Sequence, residues 1–166
     1  MPKTQVVMET SEGTLKIELE DEKAPLTVAN FLDYVDNQFY DGTIFHRVIS
    51  TFMIQGGGFE PGMRQKKTKG EIKNESANGL SNKKYTLAMA RTNVADSATA
   101  QFFINVKDNA FLDKGQSRDG VGYCVFGKVT EGMDVVNQIK SVPTATKSGH
   151  QDVPVQDVVI KSIRRA

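Results

Sequence analysis

Alternating apolar and polar residues predict two strands at the start of the chain. The run 15–20 alternates strictly between Leu or Ile and Lys or Glu, and this period of two is typical of a half-buried strand. A second apolar run over residues 5–9 precedes it, and Ser11, Glu12 and Gly13 lie between the two. The two runs therefore predict a β-hairpin.

Two other segments carry apolar residues at helical spacing. Pro25 suits the first position of a helix, and apolar residues recur three or four positions apart over 28–35 until Asp41–Gly42 stops the pattern. A second stretch over 133–139 has the same periodicity. We expect each helix to lay one apolar stripe on a sheet.

Short apolar runs predict six further strands, over residues 44–49, 52–56, 86–90, 101–106, 123–129 and 158–163. Strands thus outnumber helices, and turn-rich segments join most of them, which favours a mainly β fold built as an antiparallel barrel or sandwich. We predict an eight-stranded antiparallel closed β-barrel capped by two α-helices. The 166 residues suit one domain spanning 1–166, since no internal repeat or linker divides them.

One long segment has little periodicity. Residues 57–84 are rich in glycine and lysine, and a loop of this length inside a compact domain is often functional. We therefore predict a functional loop here.

Charge and hydropathy narrow the range of partners and compartments. The net charge of +1 gives no reason to expect nucleic acid or an anionic membrane as a partner, and it favours a nearly neutral ligand. The sequence contains no run of 18 apolar residues, which is the length needed to span a bilayer, and the first four residues lack the apolar core of a signal peptide. We predict a cytoplasmic monomer, with a mature periplasmic chain as the alternative.

Several kinds of chemistry find little support. Gly56–Gly58 is followed by Pro61 where a dinucleotide-binding loop needs glycine. His46 and His150 lack the neighbouring ligands of a zinc site. Cys124 lies in an apolar run and is expected to fill the core rather than act as a nucleophile. We predict no cofactor and no metal.

An arginine stands among apolar residues in one predicted strand. Alternation places Arg47 on the same face as Phe45 and Ile49. Burying a guanidinium there would be costly unless it were paired, so this face is expected to open to a ligand. The spacing fits equally well an edge arginine that forms a surface salt bridge.

Two other predicted strands set an amide beside an apolar side chain. Alternation pairs Met53 with Gln55 on one face, and Gln101 with Phe103 on another. These pairs suggest a binding surface, although stray surface amides would give the same pattern.

A thirteen-residue segment carries a resemblance to a known family. Residues 45–57 read FHRVISTFMIQGG, which resembles the F-H-R-V-I-x-x-F-M-I-Q-G-G signature of cyclophilins. Similarity extends over almost the whole chain and includes 87–90, 97–104 and 125–129. The resemblance implies an eight-stranded barrel closed by two helices. It also implies a peptidyl-prolyl cis-trans isomerase that rotates X-Pro bonds in proline-containing polypeptides and so assists protein folding.

The same resemblance implies a site. Arg47 matches the catalytic arginine of the family. The proline pocket and its polar wall are matched by Phe52, Met53, Phe103 and Leu112, and by Gln55 and Gln101. Ala90 and Arg91 match the strand that holds the residue before proline, largely through backbone groups.

A few positions depart from the best-known eukaryotic members. Phe111 stands in place of a tryptophan and Tyr123 in place of a histidine, as in the bacterial branch. Because phenylalanine lacks the indole N–H, we expect only weak cyclosporin binding. Arg91 replaces an asparagine, and one extra residue lies between Met89 and Gln101. We expect these changes to alter the preference for the residue before proline.

Two other functions remain open from the sequence. A proline-peptide binding module or holdase chaperone, in which catalysis is incidental, would have the same pocket. An RNA-binding protein would need a strongly basic surface, and the balanced charge argues against it.

Overall fold

The computed structural model describes residues 3–166. Within them it has two α-helices, α1 (Pro25–Asp36) and α2 (Met133–Lys140). Its strands are β1 (Gln5–Thr10), β2 (Gly13–Leu19), β3 (Thr43–Ile49), β4 (Met53–Glu60), β5 (Arg64–Gln65), β6 (Thr86–Met89), β7 (Phe102–Asn105), β8 (Val125–Glu131), β9 (Thr144–Lys147), β10 (His150–Pro154) and β11 (Val159–Arg165).

Eight strands close into one antiparallel barrel. They follow the order β3-β11-β1-β2-β8-β6-β7-β4, and β4 pairs back with β3 to complete the ring. β1 and β2 form the predicted hairpin, with Thr10 opposite Gly13 at its turn. The predicted mainly β architecture, an eight-stranded barrel with two helices, is confirmed.

Three short strands were not predicted from the sequence. β5 extends the edge of β4, while β9 and β10 pair only with each other. β9 and the start of β10 are mostly exposed, so neither shows the apolar alternation that predicts a half-buried strand.

Helix α1 ends before the predicted stop at Asp41–Gly42. Its last residue is Asp36, and Gln38 then adopts a φ of 59°, which turns the chain out of the helix. Phe39 still packs on the helix, with its ring 4.7 Å from that of Tyr34. No helix within residues 3–166 is long and apolar enough to cross a membrane.

Two apolar clusters lie on opposite faces of the barrel wall. The larger cluster joins the barrel strands to both helices. At its centre Phe31 of α1 packs against the rings of Tyr40, Phe102 and Phe126 at centroid distances of 5.3, 5.8 and 5.1 Å. The smaller cluster consists of the side chains of Met53, Ala88, Phe103, Leu112 and Val125, and it forms the floor of the site described below.

The long segment after β5 supports the start of α1. Ala24 precedes the helix and provides no side-chain cap. Instead, the Glu75 carboxylate accepts hydrogen bonds from the backbone N–H groups of Leu26 (3.3 Å) and Thr27 (2.7 Å), and from the Thr27 hydroxyl (2.8 Å). A carboxylate at this position satisfies free N–H groups and interacts favourably with the helix dipole.

We predict that Glu75→Ala lowers the free energy of unfolding by about 1 kcal/mol, the typical loss when a helix cap is removed. Urea denaturation would measure the change. Glu71→Ala is the matched control, because Glu71 is exposed in the same segment. Equal effects of the two substitutions would contradict the capping role.

Candidate active site

Irregular pairing between β3 and β4 sets which way Arg47 points. Phe45 pairs with Gly56 and Arg47 pairs with Gln55, so His46 is an extra residue on β3. Such a β-bulge breaks the alternation of side chains. Phe45 is therefore fully buried in the larger cluster, while Arg47 is exposed. The prediction that Arg47 and Phe45 share a face is wrong, because the bulge moves Arg47 to the opposite face. The alternating pattern of the sequence does not reveal this bulge.

Strand register aligns the remaining site residues in one row. Arg47 on β3 lies opposite Gln55 on β4, which lies opposite Phe103 on β7, which in turn lies opposite Ala88 on β6. Directly paired residues share a face of the sheet. The row therefore runs from a cationic end, through an amide, to an apolar end.

A cavity of about 290 Å³ lies over the first three residues of this row, Arg47, Gln55 and Phe103. It is lined by Arg47, Phe52, Met53, Gln55, Ala90, Arg91, Phe103, Leu112 and Tyr123. Its floor is apolar, since Met53, Phe103 and Leu112 are only 2, 4 and 8% exposed. The Tyr123 ring meets Phe103 edge-on at 5.9 Å. The cavity thus offers an apolar slot bordered by polar groups.

The Arg47 guanidinium is free to bind a ligand. Across residues 3–166 it forms no ion pair and no side-chain hydrogen bond, although it lines the cavity. The alternative interpretation of Arg47, an edge arginine in a surface salt bridge, is therefore not supported within residues 3–166.

Gln101 borders the cavity without lining it. Gln55 donates a hydrogen bond from Nε2 to Oε1 of Gln101 at 3.0 Å, and both residues line a neighbouring cleft. Gly58 makes room for this pair, because a Cβ there would lie 2.4 Å from Cγ of Gln101. All three glycines of the run 56–58 lie within β4, so the loop predicted over 57–84 does not begin at this run.

Phe111 lies on the rim of the cavity. Its ring stacks on Phe52 at 5.6 Å with an interplanar angle of 28°, and the side chain remains 53% exposed. It lines a second neighbouring cleft together with Leu112 and Tyr123. The predicted site residues are therefore brought together, with Gln101 and Phe111 at the borders of the cavity rather than in its lining.

Comparison with known proteins identifies the family. The model for cyclophilin type peptidyl-prolyl cis-trans isomerases matches residues 5–165. The chain belongs to the cyclophilins.

Two curated relatives span nearly the same length as this cyclophilin. A peptidyl-prolyl cis-trans isomerase of Streptomyces antibioticus, cyp18, is 62% identical over 160 residues, covering 96% of both chains. Peptidyl-prolyl cis-trans isomerase B of Escherichia coli (strain K12) is 60% identical over 159 residues, covering 95% of this chain and 97% of the relative. The predicted enzyme class, a peptidyl-prolyl cis-trans isomerase, is confirmed.

A solved structure shows the same fold at lower identity. The crystal structure of a Cryptosporidium parvum cyclophilin type peptidyl-prolyl cis-trans isomerase matches with a TM-score of 0.82 and 26% identity, covering 99% of this chain and 98% of that chain. A second crystal structure of that protein, in the presence of the dipeptide Ala-Pro, matches with a TM-score of 0.80 and 26% identity, covering 98% of each chain.

The Arg91 side chain of this cyclophilin turns into its own protein. It is 2% exposed. Its Nε and Nη2 donate to the carbonyl of Gly122 at 3.2 and 2.8 Å, and Nη2 also donates to Asp119 at 3.0 Å. The guanidinium lies 4.2 Å from the centroid of the Tyr123 ring, within the range of a cation–π interaction. Arg91 therefore fixes a wall of the cavity.

A buried amide network that sequence reasoning missed supports the wall formed by Phe52. Asn109 donates from Nδ2 to the carbonyl of Phe52 and to Oδ1 of Asn105, each at 2.8 Å. Asn105 donates to Asn82 at 3.1 Å, and the three asparagines are fully buried. Asn105 within the apolar run 102–106 was the available signal, because a buried amide requires partners.

His46, the extra residue of the bulge, is buried beside Arg47. It is 6% exposed and its ring lies 4.4 Å from that of Phe59. Burial, together with the charges of His150 and Arg47, lowers the pKa of His46 to about 4. The imidazole is therefore neutral at pH 7.

We predict that acid destabilises this cyclophilin through His46. Because the folded pKa of about 4 lies below the unfolded value, the stabilising contribution is complete above pH 6.5 and is lost as the pH falls towards 4. The loss from this group is about 3 kcal/mol. Urea denaturation at several pH values would show a shallower dependence for His46→Phe than for the wild type. His150→Gln should retain most of the wild-type dependence, and identical slopes for His46→Phe and wild type would contradict the assignment.

Proposed function

We propose that Arg47 is the catalytic residue with which this enzyme rotates X-Pro peptide bonds. Rotation about such a bond is slow because the nitrogen lone pair is delocalised into the carbonyl, which creates a barrier of about 18–20 kcal/mol. No covalent bond has to break. The enzyme needs only to bind the twisted amide more tightly than either planar isomer.

The unpaired guanidinium is the observation that supports this role. When the amide twists, its nitrogen becomes pyramidal and regains a lone pair that can accept a hydrogen bond. Arg47 reaches the cavity with all its donors available. A guanidinium keeps its proton throughout the neutral range, so we expect a rate that changes little between about pH 6 and pH 9.

The apolar floor strengthens this hydrogen bond. Met53, Phe103 and Leu112 would grip the pyrrolidine ring and exclude water from one side of it. Electrostatic interactions are stronger where water is excluded. An acceleration of about a hundred-thousandfold requires about 7 kcal/mol of transition-state stabilisation, which one charged hydrogen bond, desolvation and positioning can supply together.

The substrates proposed for this chain are polypeptides that present a proline. The family binds proline-containing peptides, and a related Cryptosporidium parvum protein has been crystallised in the presence of Ala-Pro. Ala90 and the polar cleft beside it are proposed to hold the residue before proline. A proline-peptide module or holdase with incidental catalysis would use the same cavity, but it would have no use for a free guanidinium there.

We predict that Arg47→Ala lowers kcat/KM for a proline peptide by at least about a hundredfold, as removal of one transition-state donor does elsewhere. Binding of the same peptide should change less than about threefold, because planar isomers do not present the nitrogen lone pair. NMR exchange spectroscopy would measure isomerisation and titration would measure affinity.

Arg64→Ala is the control for loss of a positive charge, since Arg64 is exposed on β5 and lies outside the cavity. Parallel losses of rate and affinity in Arg47→Ala would favour the binding module over the enzyme mechanism.

Cyclosporin binding is proposed to be weak because Phe111 offers no indole N–H. We predict that Phe111→Trp raises cyclosporin affinity by up to about tenfold, the value of one added hydrogen bond. Calorimetric titration would measure it, with Phe111→Leu as the control that removes the ring. No gain for the tryptophan variant would contradict this explanation.

The cytoplasmic location, with the periplasm as the alternative, and the monomeric state remain predictions. Cell fractionation and sedimentation velocity would test them.

A further inference from the structure

The proline cavity adjoins two clefts that have no lining residue in common. The first, a polar cleft of about 190 Å³, shares Gln55, Ala90 and Arg91 with the cavity. The second, here called the outer cleft, has a volume of about 490 Å³ and shares Leu112 and Tyr123 with the cavity. Each cleft is therefore open to a polypeptide that is held at its proline in the cavity.

The outer cleft combines an apolar surface with a charge. Phe111 forms part of its wall, and although this ring stacks on Phe52 it remains 53% exposed. Asn93 lines the cleft as well, and Arg118 and Asp119 add charged groups. An exposed aromatic ring beside charged groups is suited to a peptide side chain with an apolar stem.

The two charges of the outer cleft are not equivalent. Asp119 accepts hydrogen bonds from Ser117 (2.9 Å) and the Val121 backbone (3.1 Å) on Oδ1, and from Arg91 (3.0 Å) on Oδ2. Hydrogen bonds from Val121 and Ser117, and then from Arg91, lower the pKa of Asp119 to about 2. Its charge is therefore permanent at neutral pH and is balanced by the buried Arg91.

Arg118 has no such balance. Its side chain is exposed, and within residues 3–166 its guanidinium forms no hydrogen bond or ion pair. The outer cleft thus presents one uncompensated positive charge next to the proline cavity.

We infer that the outer cleft binds the residues that follow proline in the substrate, and that Arg118 makes it prefer an acidic side chain there. The inference rests on the proposed function, in which the polar cleft holds the residue before proline. The positive charge attracts a carboxylate, and the Phe111 ring contacts the methylene groups that carry it. Arg118 is thereby a specificity-determining residue of the isomerase.

Peptides with Glu, Ala or Lys at the second position after proline test this inference. At low salt we expect the wild type to show a kcat/KM about threefold higher for the Glu peptide than for the Lys peptide. The difference is small because an exposed ion pair is weak. Arg118→Glu should reverse this preference, which changes the ratio by about tenfold. NMR exchange spectroscopy would measure each rate, and about 1 M salt should remove the preference.

Controls separate this inference from the proposed function. Lys161→Glu makes the same change in net charge at an exposed position of β11 that lines neither cleft, so it should keep the wild-type ratio. Turnover of the Ala peptide should be unchanged in Lys161→Glu, and its absence in the wild type would count against the isomerase mechanism instead. An unchanged Glu-to-Lys ratio in Arg118→Glu, or a reversal only when the charge precedes proline, would overturn the inference.

Discussion

The irregular pairing of β3 with β4 is the constraint on which the site depends. The barrel interior needs Phe45 within its aromatic cluster, and the cavity needs Arg47 on the other face. Regular alternation would put both side chains on one face. The extra residue His46 resolves this conflict, because a bulge shifts the strand by one position.

The shift also sets which residues of β4 and β7 lie beside Arg47. Once Arg47 lies beside Gln55, the register of β4 with β7 brings Phe103 into the same row. The close packing of Gln101 against Gly58 then holds the amide of Gln55 in place. A guanidinium, an amide and an apolar floor are thereby fixed on rigid strands, which is the arrangement that preorganised catalysis requires.

Loop segments complete the cavity through polar contacts rather than apolar packing. Arg91 donates hydrogen bonds to Gly122 and Asp119, and these bonds fix the position of Tyr123. Asn109 holds Phe52 by donating a hydrogen bond to its backbone carbonyl. Arg91 and Arg47 are thus two arginines at one cavity with opposite tasks: one is saturated with internal partners, and the other is left without any in the described chain.

Local periodicity predicted the barrel strands and both helices, because a half-buried strand leaves a clear alternating pattern. The same reasoning missed the bulge at His46, since a single extra residue becomes visible only when its partner strand is known. It also missed β9 and β10, which bury too little apolar surface to produce a pattern. Resemblance supplied the site residues, but the inward turn of Arg91 and the asparagine network depend on contacts between distant segments.

The central claim is that Arg47 interacts with the twisted amide and not with the planar one. Its most direct test is the affinity of a peptide in which a sulfonyl group replaces the carbonyl before proline, because a sulfonamide nitrogen is closer to pyramidal and keeps its lone pair; calorimetry would measure this affinity for wild type and Arg47→Ala. The account predicts that the substitution weakens this analogue by about a hundredfold while the matching planar peptide binds almost unchanged. Equal weakening of the two ligands would contradict it.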